Sequence, residues 1–404
     1  MRKLTFIAAV AVAVSAAAAD PAPVPAAAPA AAAAPAAAAA PAAAAAADPA
    51  AAADPAPAPE TPAWHRHTEP PVLDLPRDHG AHLDTATEWW YLTANLEDDQ
   101  GRSLGVQFTI FRAGLDPASP AAGDAVLRAR HAMAAHLAVA RPDEGAFASA
   151  DRLRRLGDGL AWASEEDLDT GIEGWTLRRG PDDALMVQAS AVEKGLAVDL
   201  VYTPTKPLVA HGRGGLSQKG AEPGNASLYL SWTNLRVEGT ITVDGTPRRV
   251  RGAGWFDHEW GSSQLGEGVA GWDWFSLRLV DRRDLMVYRL RRDDGSADPF
   301  SSGSIVGPDG TATPLTPDDF TLEPTGQRWT SPETDGTYPT AWSITVPAHG
   351  LDLVVETQIP NAEVDGRQTT GVAYYEAPVT VTGTTAGEGY MELTGYAGTL
   401  EGRF

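Results

Sequence analysis

An all-β chain of two consecutive β-barrel-like domains is what this sequence predicts, and three observations predict it. Short runs with two-residue alternation recur along most of its length, Asp-Gly and similar pairs punctuate them, and helical periodicity with capping signals is nearly absent from the second half. Regularly spaced short strands with turn signals are the mark of sandwiches and barrels, and two barrels meeting near residues 250 to 265 use the chain most economically.

Taken in order, Glu88 to Leu96 and Gly105 to Arg112 read as strands joined by a turn at Asp98-Asp99-Gln100-Gly101, a hairpin. Further runs are expected at Met133 to Ala140, Leu185 to Ala191, Leu196 to Tyr202, Ala226 to Leu235 and Arg236 to Val243, after which Asp244-Gly245 turns the chain into Arg248 to Gly254. The pattern restarts with Gly271 to Val280 and Asp284 to Arg291. It continues in short runs through Ala341 to Val346, Leu353 to Gln358 and Val379 to Gly383, as far as Tyr390 to Tyr396. The domains are therefore placed at 70–252 and 253–404.

Met1-Arg2-Lys3, the apolar run Leu4 to Val14 and the small residues up to Ala19 have the order of a secretory signal, with cleavage expected after Ala19. Residues 20–63 are almost only alanine and proline. They lack the apolar surface to offset ordering entropy, so a disordered linker is expected there. The expected location is exported, in the periplasm or outside the cell.

There is no cysteine, which excludes disulfides, thiolate metal sites, a cysteine nucleophile and a lipoprotein anchor. A formal charge of −22 argues against nucleic acid and anionic membrane surfaces as partners.

Strand alternation sorts the aromatic segments into faces. Glu88, Trp90, Leu92 and Ala94 share one side of their strand; Trp89, Tyr91 and Thr93 take the other. Glu88 is thus either a carboxyl of raised pKa among apolar groups or an acid paired with an arginine such as Arg112, and pairing is the rule for buried acids. The densest polar and aromatic cluster, Gly252 to Gln264, puts Phe256, His258 and Trp260 on one face if extended, with Trp255, Asp257 and Glu259 on the other. A histidine between two aromatics suits a pocket wall and proton transfer, or else a structural histidine in the core. Trp272 and Trp274 share a face, opposite Asp273. No metal-ligand spacing, Gly-x-Ser-x-Gly elbow, P-loop or dinucleotide fingerprint occurs, so neither a metal nor a cofactor is expected.

The blocks HLDTATEWWYLTANLEDDQGRSLGVQFTIFR, GWFDHEWGSSQ, GWDWFSLRL, YYEAPVTVTG and GYMELTGY, in this order, resemble the AttH-type, lipocalin-like family that includes carotenoid 1,2-hydratase. The resemblance implies two lipocalin-like β-barrel domains, the first hydratase-like and the second a smaller lipocalin-like barrel. It also implies a hydrophobic ligand, lipid or isoprenoid, and for some relatives a partnership with an ABC-type permease. For hydratases it implies an essential His-x-Trp pair, matched by His258 and Trp260, and a Tyr-x-Asp pair, matched at Tyr288 but with Leu290 where aspartate is needed.

The first reading is an exported binder of a hydrophobic lipid or isoprenoid that either only binds it or also modifies it by hydratase- or isomerase-like acid–base chemistry. As an enzyme, a hydro-lyase by the resemblance, it would move a proton with His258 and use Asp257 or Glu88 as the paired acid. Trp89, Trp90, Trp260, Trp272, Trp274 and Tyr288 would shape the pocket. The alternatives are a non-catalytic lipid carrier and, with no nucleophile motif behind it, a secreted hydrolase. Because carotenoid substrates are made at the inner membrane, the export signal favours a lipid binder over a pigment enzyme.

Overall fold

A computed structural model describes residues 63–118, 129–157, 159–262 and 265–400. The expected signal and all of the linker but Ala63 lie outside the described residues. Among the described residues the only helical elements are five single 3-10 turns.

The first sheet uses β1 (Thr87–Asp98), β2 (Ser103–Gly114), β3 (His131–Arg141), β4 (Ala146–Arg155), β5 (Ala161–Ala163), β6 (Asp169–Ile172), β7 (Trp175–Arg179) and β8 (Leu185–Ala191). It adds β9 (Leu196–Pro204), β10 (Val209–Ala210), β11 (Leu216–Gln218), β12 (Ala226–Val243) and β13 (Thr246–Gly261). Its order is β4-β3-β2-β1-β13-β12-β9-β8-β7-β6-β5, with β10 and β11 paired to β12, and it curls into a nearly closed barrel.

The second sheet starts with β14 (Val269–Leu279), β15 (Asp284–Arg292), β16 (Ser302–Val306), β17 (Ala312–Leu315) and β18 (Thr321–Pro324). A small ribbon of β19 (Arg328–Thr330) and β20 (Thr337–Pro339) interrupts it. It ends with β21 (Ala341–Val346), β22 (Leu351–Thr357), β23 (Glu363–Gly366), β24 (Val372–Gly383) and β25 (Gly387–Leu393). The order β17-β16-β15-β14-β25-β24-β22-β21-β18 makes a half-barrel.

The β1–β2 hairpin has the register its turn dictates, Glu88 opposite Arg112 and Leu96 opposite Leu104. Trp90, Leu92 and Ala94 from β1, Phe108 and Ile110 from β2, and Met133 and Leu137 from β3 fill the barrel. Two corrections to the sequence reading follow. The expected domain boundary at 252/253 falls inside β13, which pairs with β1 through Gly261; the second sheet begins only at Val269. The runs Ala226 to Leu235 and Arg236 to Val243 are one 18-residue strand, bent where the register slips between Trp232 and Leu235.

The two sheets meet through the outer face of the barrel. At Gly105 a β-carbon would come 2.5 Å from the Tyr390 hydroxyl and 2.7 Å from Pro378, so only glycine permits this approach. The bulge in β12 turns Thr233 and Asn234 towards Asp284 at the start of β15, with Thr233 Oγ1 at 2.8 Å and Asn234 Nδ2 at 3.2 Å. Lys206 Nζ closes the cluster at 2.7 Å, with both charges almost fully buried. Removing one partner leaves the other charge buried and unpaired. Asp284→Ala is therefore expected to cost about 3–5 kcal/mol in urea unfolding, and adding Lys206→Met should recover most of that loss.

Candidate functional site

Adjacent residues of an extended strand point to opposite faces, and β13 is extended throughout. His258 and Asp257 therefore look away from each other, His258 into the barrel and Asp257 into the seam between the sheets.

Inside the barrel, the His258 ring stacks on Trp90 at 5.0 Å and lies 4.6 Å from Trp260. Its Nε2 donates to Glu88 Oε1 at 3.0 Å. The same carboxylate receives His82 Nδ1 at 2.8 Å, the His82 backbone N–H at 3.0 and 3.2 Å, and Arg112 Nε at 2.8 Å. Arg112 spends its remaining donors on the Thr85 and His82 carbonyls and on Thr85 Oγ1, and one of them also lies 3.1 Å from His131 Nδ1. Burial alone would raise the Glu88 carboxyl. Arg112 and the two histidines outweigh it and hold the group well below the usual carboxylate range. Burial lowers His258 to about 4, against the pull of Glu88, so the ring is neutral. His82 is held above its ordinary value in spite of burial, because its two nitrogens face Asp78 and Glu88. Trp260 stacks flat on His82 at 3.9 Å, and Trp90 Nε1 donates to the His79 carbonyl.

His82, Glu88 and His258 bring ligand-type atoms within 4.8 Å of one another. A cation does not fit there as the groups stand: four donors already meet the carboxylate, and the Arg112 guanidinium already supplies its counter-charge. Of the two readings open for Glu88, pairing with Arg112 is the one realised. An ionised, saturated carboxylate is no proton donor.

Between the sheets lies a cavity of about 130 Å³. Trp89 and Tyr91 of β1, Phe111 of β2 and Tyr229 of β12 wall it on the barrel side; Trp272 and Trp274, Tyr288 and Leu290, and Tyr374 wall it on the other. Asp257 and Glu259 enter it from β13, Lys219 from the segment after β11, and Glu392 from β25.

Asp257 accepts from Tyr229 OH at 2.7 Å, from Trp255 Nε1 at 2.6 Å and from Ser231 Oγ. Trp274 Nε1 donates in turn to the Tyr229 hydroxyl at 3.1 Å, so donation runs Trp274 to Tyr229 to Asp257. Burial without a cation pushes the Asp257 carboxyl up to about 7 against these hydrogen bonds. Glu259 differs, with Lys219 Nζ at 3.1 Å. The Lys219 ammonium also sits 4.2 Å above the Tyr288 ring. Glu392, bonded by Trp272 Nε1 at 2.6 Å, is likewise raised by burial to about 7.

The sequence-predicted residues thus divide. Trp89, Trp272, Trp274, Tyr288 and Asp257 gather at the cavity, whereas His258, Trp90, Trp260 and the Glu88 carboxyl belong to the barrel interior, so His258 and Asp257 do not act on one point. Asp273 is gripped by Arg289 Nη2 at 2.8 Å and Arg291 Nη1 at 2.7 Å, an ion-paired group on the opposite face from the cavity tryptophans. Sequence reasoning passed over Lys219, Tyr229, Glu376 and Glu392. Alternation in YYEAP and GYMEL could have put Glu376 with Tyr374 and Glu392 with Tyr390, but not the two glutamates beside each other.

Two stability profiles distinguish these acids. The folded Glu88 carboxyl binds its proton less readily than the usual 4.5. Its contribution is therefore complete above that value and lost on acidification, and Glu88→Gln should cost about 3–5 kcal/mol at neutral pH by stranding Arg112. Asp257 has the opposite sign: between 3.8 and about 7 the folded state holds more protons than the unfolded, so stability falls as pH rises through that window. Asp257→Asn should be more stable than the parent above pH 7 by up to about 4 kcal/mol, the difference closing towards pH 4 in urea titrations.

Comparison with known proteins places this architecture. The AttH-like family model matches residues 66–396. A crystal structure of a protein assigned to AttH, from Nitrosomonas europaea, superposes with a TM-score of 0.73 at 32% identity, over 81% of this chain and 98% of that one. Kievitone hydratase from Nectria haematococca shares the fold with a TM-score of 0.61 at 15% identity, over 84% and 98%. A dehydratase of Emericella nidulans is 23% identical over 221 residues, 52% of this chain and 62% of the relative. A ceramide-binding protein of Aspergillus fumigatus is 27% identical over 148 residues, 36% and 37%. The chain thus spans less than two thirds of either curated relative. With the family model covering nearly the whole of both sheets, the chain belongs to the AttH-like family.

Proposed function

We propose that this protein binds a hydrophobic small molecule of lipid or isoprenoid type in the cavity between barrel and second sheet, and adds or removes water there by acid–base chemistry. The observation that carries this reading is Asp257: a carboxyl at about 7 inside an aromatic-walled cavity can give and take a proton at neutral pH. Trp89, Trp272 and Trp274 present ring systems suited to a positive charge developing on carbon. A cavity of this size accepts roughly a benzene-sized group, so it grips the reacting end of a longer molecule. The fold shared with a hydratase and the sequence likeness to a dehydratase support the same chemistry.

The likeness to a ceramide-binding protein favours a second reading, a non-catalytic lipid carrier; the ABC-type permease proposed as its partner rests on the resemblance of the sequence blocks alone. Export to the periplasm or beyond is part of either reading and rests on the N-terminal charge and apolar run.

Mass spectrometry of lipids that co-purify with the full chain, with Asp257→Asn and with His258→Ala separates the two. If water is added or removed, Asp257→Asn should retain a molecule differing by one water from that on the parent, and His258→Ala should carry the parent's. An identical molecule on all three favours the carrier, and no bound lipid on any of them refutes both readings.

A further inference from the structure

Glu376 of β24 and Glu392 of β25 are direct partners in the antiparallel register, so their side chains leave the sheet side by side on one face. That face is turned to the barrel. Tyr91 OH of β1 donates to Glu376 Oε2 at 3.1 Å, and Tyr374, on the same side of β24, meets His136 Nδ1 at 2.8 Å. Glu376 is 1% exposed, and its other oxygen meets no N–H or hydroxyl donor. Glu392 lines the cavity itself. Besides burial, what acts on the two carboxyls is each other, Tyr91, Trp272 and the Glu259 carboxyl. None of these is a cation. Asp257 stands across the cavity on the barrel wall, and the lysine there, Lys219, is taken up by Glu259.

Two buried carboxyls in contact without a counter-charge cannot both ionise, and a proton held between them also satisfies the orphaned Glu376 oxygen. We propose that Glu376 and Glu392 share one proton and offer it from the cavity wall opposite Asp257, so that the cavity selects uncharged ligands bearing a hydroxyl or carbonyl oxygen over anionic lipids. This rests on the hydrophobic-ligand reading above and narrows its substrate class. In a dehydration the shared proton would leave with the hydroxyl as water while the C–O bond breaks. Ionised Asp257 would take a proton from the neighbouring carbon as the double bond forms, and the protein's proton count would be unchanged.

Two measurements on the full chain test it. Infrared spectra should contain a protonated-carboxyl stretch at neutral pH that survives Asp257→Asn and shifts in frequency in both Glu376→Gln and Glu392→Gln as the shared hydrogen bond is lost; a stretch unmoved by both glutamine variants overturns the pair. With phenylnaphthylamine as an uncharged reporter, hexadecanol should displace the dye about tenfold more effectively than hexadecanoate at about pH 8, and Glu392→Gln should reduce that preference. Equal displacement by alcohol and carboxylate in the parent overturns the proposed selectivity. Should the dye fail to bind at all, the hydrophobic-cavity reading falls, while the infrared result still decides the shared proton.

Discussion

The two-residue alternation of one strand, β13, governs the rest of the molecule. Paired on both edges, to β1 and β12, it has no freedom to roll, so each side chain is assigned to one of two environments. Phe256, His258 and Trp260 are committed to the barrel, Trp255, Asp257 and Glu259 to the seam. A slip of one residue would exchange the sets, driving two uncompensated acids into the barrel core and stripping Glu88 of His258.

The two environments treat acids in opposite ways. In the barrel, Glu88 is surrounded by donors and a guanidinium, and burial strengthens its ionised state through them. In the seam, Asp257, Glu376 and Glu392 are buried without a cation of their own, so desolvation wins and holds these carboxyls above the usual carboxylate range. The first arrangement is compensated by its partners; the second is left without a counter-charge. The cost of the second is borne by the packing of the sheets, including the Asp284 cluster and the close approach at Gly105.

Much of this was legible in the sequence. The all-β class, the hairpin at Asp98 to Gly101, the two faces of β1 and β13, and the pairing of Glu88 with Arg112 follow from local alternation and turn chemistry. Which face meets which neighbour does not, because it depends on strand order, and β13 returning to lie beside β1 is a contact of long sequence separation. That is why His258 could be placed on an aromatic wall but not assigned to the barrel interior as opposed to the seam, and why the domain boundary was drawn through a strand. Glu376 and Glu392 were invisible for the same reason: each is an ordinary glutamate in its own strand, and only the register joins them.

The barrel interior is occupied by Trp90, Phe108, Trp175 and their neighbours, and the aromatic-walled cavity lies outside it, against a sheet that closes only halfway. A packed cylinder and a cavity wall are thereby separated. The side chains that enter the cavity from β14, β15 and β25, such as Trp274, Leu290 and Glu392, lie outside the packed core of the cylinder beside them. The same division lets one wall of the cavity be altered while the barrel core stays as it is.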